Sequence, residues 1–169
     1  MDAQEELVDK IIVEYGNGVK VVEATREHVD YIATNLRQQD ITELTAAGHG
    51  NIHEKLVSSF ESSEEVLVAL TPDNIPWVIF GVARITDKIG GIWMVGTDDV
   101  LKYKIQFLRK CRDWVKYISS NYPVVTNNVH DKNTESIIWL LWCGAVFTKS
   151  FKIEEETFIN FIITEEQNV

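Results

Sequence analysis

The chain has 169 residues, of which 45% are hydrophobic and 25% charged, the profile of one folded domain rather than a disordered polypeptide. Sixteen Lys and Arg against twenty-six Asp and Glu leave a formal charge of −10, which speaks against nucleic acid and anionic membrane surfaces as partners. No apolar run approaches the ~20 residues that span a bilayer.

The start, Met1 to Glu6, is acidic and polar, unlike a signal or transit peptide. Residues 1–17 read as an N-terminal extension and 18–169 as a single domain. Gly18 to Ala24 reads as the first strand, carrying Val19, Val21 and Val22. Thr25 reads as an N-cap, opening a helix with Val29, Ile32 and Leu36 at helical spacing that runs to about Ala47. Gly48 and Gly50 end it, and Asn51 caps a shorter helix with Ile52, Leu56, Val57 and Phe60.

Glu65 to Thr71 and Ile75 to Thr86 read as buried strands joined by the turn chemistry of Pro72-Asp73-Asn74. Gly90 and Gly91 read as the next turn, before a strand from Ile92 to Val95. A long helix follows Gly96-Thr97-Asp98-Asp99, its apolar stripe running from Leu101 to Ile118. Pro123 separates it from a strand, Val124 to Val129. A helix holding Ile137, Ile138, Leu140 and Leu141 stops before Gly144, and two strands, Val146 to Phe151 and Phe158 to Thr164, complete the chain. The order predicts an α/β fold with a mixed, mostly antiparallel sheet of about six to seven strands and about four helices.

Two segments sharpen that order. One is Gly91-Ile92-Trp93-Met94-Val95-Gly96-Thr97-Asp98 with the helix behind it. The other is Asn128-Val129-His130-Asp131-Lys132-Asn133 followed by Ile138-Trp139-Leu140 and Cys143-Gly144-Ala145-Val146-Phe147. Together they resemble the GNAT superfamily of acyl-CoA N-acyltransferases, and within it the short GNAT-like proteins of podovirus-type bacteriophages that include an internal virion protein. The resemblance implies an acetyl-CoA site where two central strands splay apart. It places the pyrophosphate on backbone N–H groups of Val95, Gly96 and Thr97, with further cofactor contacts from Asn133 and Ser136.

The chain departs from the family pattern in three places. Asp98 and Asp99 put two carboxylates beside a loop meant for an anion, a like-charge contact of a few kcal/mol at ~4 Å. Leu140 stands where a thiolate-protonating Tyr is common, so that acid is missing. The strand Ile92 to Val95 has no carboxylate to act as base, which leaves His130 as the candidate catalytic group.

The scattered His28, His49, His53 and His130 and the two thiols Cys111 and Cys143 predict no metal site, and Cys143 reads as a core thiol. The helix from Leu101 to Ile118 carries six basic residues against Asp113, net +5 in an acidic chain. Two functions follow from the resemblance. One is a catalytically degenerate bacteriophage protein that binds a host or virion protein, in the infected cytoplasm or packaged in the particle. The other is an acetyl-CoA-dependent N-acetyltransferase acting on an amine.

Overall fold

Residues 11–164 are described by a computed structural model. The sheet starts before Gly18. β1 (Ile11–Glu14) pairs antiparallel with β2 (Lys20–Glu23), inside the stretch read from sequence as an extension. A turn with Gly18 at φ +86°, a conformation that favours glycine, joins them.

Thr25 does cap α1 (Arg26–Thr34), and His28 completes the capping box: its backbone N–H donates to Thr25 Oγ1 and its Nδ1 accepts from Thr25 N. The expected single helix to Ala47 is in fact two. Helical bonding stops at Thr34, and α2 (Gln38–Ala46) begins after Leu36 bridges to Thr97 and Arg37 N–H donates to the Gly96 carbonyl. Neither Gly nor Pro marks this break; a tertiary contact makes it. Asn51 caps α3 (Ile52–Ser62) as expected, accepting from Glu54 N.

β3 (Ser63–Leu70) and β4 (Pro76–Arg84) form the hairpin, with Asn74 at φ 63° in its turn. β5 (Ile89–Gly96) is longer than expected because Gly90 and Gly91 lie within it rather than in a turn. A Cβ on Gly90 would sit 2.7 Å from the Tyr122 ring, so the absent side chain serves close packing. The expected helix to Ile118 splits into α4 (Asp99–Lys102) and α5 (Lys104–Ile118). β6 (Val124–His130), α6 (Thr134–Trp142), β7 (Val146–Ile153) and β8 (Glu156–Thr164) follow.

The strand order is β1-β2-β3-β4-β5-β6-β8-β7, antiparallel except for β5–β6. The described residues therefore hold eight strands and six helices, not six to seven and four. β1 is the added strand, and the two helix breaks supply the added helices.

The sheet is covered on both faces, which is why its central strands read as unbroken apolar runs. Val22, Val66, Val68, Leu70 and Ile79 meet α1 and α3 on one face. On the other, α5 and α6 cover Val125, Phe161 and Ile163, while Leu67, Ala69 and Trp77 pack under α5.

Candidate functional site

The parallel pairing of β5 with β6 is short. Ile89, Gly90 and Gly91 meet Val124, Val125 and Thr126, and there the ladder ends. Asn127 Nδ2 donates to the Ile92 carbonyl at the fork, and beyond it the strands diverge. A cleft of about 640 Å³ occupies this region. Trp93 and Val95 line one wall, Asn128 and Val129 the other, and Phe107 and Trp139 stack with ring centroids 5.5 Å apart on the α5–α6 side.

Helix α2 spans the open ends of the two strands. On the β5 side, Asp40 is 6% exposed and its Oδ2 accepts the Gly96 N–H at 2.8 Å. The same oxygen accepts from Arg37 Nε at 2.9 Å. Burial disfavours the Arg37 charge, but Asp40, with Glu135 and Glu43 nearby, more than offsets this and raises its pKa. On the β6 side, one turn further along α2, Glu43 Oε1 accepts from His130 N at 3.0 Å and Oε2 accepts from Asn133 Nδ2. Gln39 Nε2 donates to Asn133 Oδ1. Residues 40 and 43 are three apart and so share one helical face, each tied to one strand end.

These ties decide what the predicted site residues can do. Val95 is buried in the core below the cleft and also lines it. Gly96 is packed rather than open: a Cβ there would lie 2.6 Å from Val100 Cγ2 and 3.0 Å from the Trp77 carbonyl. The Thr97 N–H donates to the Trp77 carbonyl at 3.0 Å, and its Oγ1 accepts from Asp99 N. The N–H groups of Gly96 and Thr97 are thus both engaged within the chain. In this arrangement neither is free for a pyrophosphate, and Asp40 already places an anion on the Gly96 amide.

Asn133 is 4% exposed and caps α6, accepting from Ser136 N at 3.1 Å. Ser136 itself lines the cleft. His130 is 8% exposed and does not line the cleft. Its Nδ1 accepts from Lys132 N at 3.2 Å, which assigns the proton to Nε2, and Nε2 donates to Glu156 Oε2. That hydrogen bond holds the Glu156 carboxyl below the usual range. Both ring nitrogens have partners, so His130 braces β6 against β8. His130 and Asn133 are brought together through Glu43; Gly96 and Thr97 reach them only across α2.

Asp40, Glu43 and Gln39 escape a sequence reading that treats α2 as the tail of α1. Their signal was the three-residue spacing Arg37, Asp40, Glu43 on one side of a helix. Cys143 lies where the sequence put it, 1% exposed. Its thiol donates to the Cys111 sulfur 3.7 Å away, and that bond, then burial, pushes its pKa up.

No family model and no curated protein matches the sequence. Solved structures do match the fold. A GNAT-family acetyltransferase from Bacillus anthracis superposes with a TM-score of 0.67 at 11% identity, over 92% of this chain and 99% of that one. Spermidine N-acetyltransferase from Vibrio cholerae, in complex with CoA and spermine, gives 0.66 at 11%, over 89% and 98%. An aminoglycoside acetyltransferase in complex with ribostamycin and coenzyme A gives 0.65 at 12%, over 89% and 95%. At such identities the likeness is one of architecture: the chain has the fold of the GNAT acetyltransferases.

Proposed function

We propose that this chain is a GNAT-fold binding protein of a tailed bacteriophage in which acyl transfer has been lost. It engages a host or virion protein, acting in the cytoplasm of the infected cell or carried in the particle. The observation that carries the loss of transfer is the Asp40 carboxylate on the Gly96 N–H. An anion-binding amide that holds a buried carboxylate of its own chain has no capacity left for a phosphate unless that carboxylate is displaced, which would leave it buried without its amide partner. Leu140 at the acid position, a β5 strand without carboxylates and a His130 with both nitrogens engaged support the same reading. The bacteriophage context rests on the likeness of the two sequence segments around Gly96 and Asn133.

The open cleft between β5 and β6 favours a second reading, an acetyl-CoA-dependent N-acetyltransferase that works mainly by positioning its two substrates. Calorimetric titration with acetyl-CoA decides between them. The binding reading expects no heat of binding up to ~1 mM ligand, and saturable binding near 1 μM would overturn it.

A further inference from the structure

Helices α5 and α6 lie side by side on the sheet face opposite α1 and α3. Phe107 stacks on Trp139, Trp142 Nε1 donates to the Leu108 carbonyl at 3.3 Å, and the Arg112 guanidinium sits 5.1 Å from the Trp142 ring. Their inward faces are buried. Their outward faces are mixed: α5 exposes mostly charged side chains with Ile105 and Tyr117 among them, while α6 exposes large apolar ones. Ile105 on α5 is 69% exposed and Ile138 on α6 62%; Leu101, on the preceding short helix α4, is 64% exposed. Leu141 and Trp142 are also exposed, and with Ile138 they share one side of α6. Large apolar side chains gathered on two adjacent helices mark an interaction surface rather than scattered exposure.

Charge says what kind of partner fits. Lys104, Arg109, Arg112 and Lys116 are exposed along α5, and among the described residues none of them forms an ion pair. The chain as a whole carries −10, so this is a basic strip on an acidic molecule. A basic strip beside an apolar ridge complements a segment that is apolar on one side and acidic on its flanks.

We infer that the exposed α5–α6 face docks an acidic amphipathic helix of a partner protein. Its apolar residues meet Ile105, Ile138 and Trp142, and its carboxylates meet Arg109 and Arg112. This deepens the binding reading, on which it rests, by giving the partner a chemistry.

The test uses the full chain and a fluorescein-labelled synthetic helical peptide of about 18 residues, with Leu at i, i+3, i+4 and i+7 spacing and Glu on the flanks. One control peptide has the same composition with the leucines dispersed around the helix; another has Lys in place of Glu. Fluorescence anisotropy should show saturable, salt-weakened binding of the first peptide alone. Ile105→Asp, Ile138→Asp and the double change Arg109→Glu with Arg112→Glu should each weaken it by roughly tenfold or more. All three alter exposed side chains, and circular dichroism checks that the fold persists. Absence of saturation at ~1 mM, equal binding of either control peptide, or unchanged affinity in the variants overturns the proposal. So does a dimer in sedimentation that Ile105→Asp dissolves, because the occupant is then a second copy. Acetyl-CoA titration is separate: saturable CoA binding would remove the loss-of-transfer reading without touching the peptide result, and peptide failure would leave that reading standing.

Discussion

The two halves of the β5–β6 junction solve the same problem in opposite ways. In the closed half, Ile89 to Gly91 pair with Val124 to Thr126 through backbone, and Gly90 lets the Tyr122 ring press against the strand. In the open half the strands no longer reach one another, and side chains of α2 hold them instead. Asp40 takes the end of β5, and Glu43 takes the end of β6 and the start of α6. Backbone pairing spreads its stabilisation over many bonds. The open half concentrates it in two carboxylates, so it is directional and vulnerable to single changes.

Asp40→Ala should break the open half and have the largest effect. It strands the Arg37 charge in a mostly buried site and leaves the Gly96 N–H without its acceptor, a loss of about 3 kcal/mol in denaturant unfolding. Hydrogen exchange at Gly96 should quicken while exchange at Val125 follows only the global loss of stability. Equal quickening at both positions would mean that the two halves are one cooperative unit.

Gly90→Ala probes the closed half. The new methyl would lie 2.7 Å from the Tyr122 ring and 2.9 Å from Val82 Cγ2, so overpacking should cost about 2 kcal/mol. Peptide hydrogen bonding at Gly96 should be untouched, which amide NMR can read.

The smallest effect is expected at Glu156, which His130 ties to the edge of the open half. A carboxyl whose folded pKa is depressed contributes stability above its unfolded pKa of about 4.3 and loses it as pH falls through the folded value. Glu156→Gln should therefore be slightly less stable than the parent at neutral pH. That difference should shrink as pH falls below about 4.3 and vanish only in acid strong enough to protonate the folded carboxyl, whose pKa is depressed. Denaturant unfolding at neutral pH and in acid checks it, and a gap that widens in acid would reverse the sign.

Much of the fold was legible from local chemistry. Thr25 and Asn51 announce their helices because an N-cap acts within three residues, and the β3–β4 hairpin shows in its turn residues and apolar runs. Less of the site was legible. Val95 and Ser136 do line the cleft, but the engagement of Gly96 by Asp40 is a contact across fifty-six residues of chain, and the Arg37, Asp40, Glu43 spacing marks a helix face without indicating which amide it meets. β1 was missed because four partly exposed residues at a sheet edge carry little periodicity of their own.

By itself, then, the sequence determined most element types, the apolar faces and the caps, all consequences of side-chain chemistry within a few residues. Only tertiary structure decided where the long helices break, that α2 bridges the fork, and that the Gly96 amide answers to a carboxylate of its own chain. Those outcomes depend on which distant groups reach a backbone N–H or C=O first, and local propensity has no term for that competition.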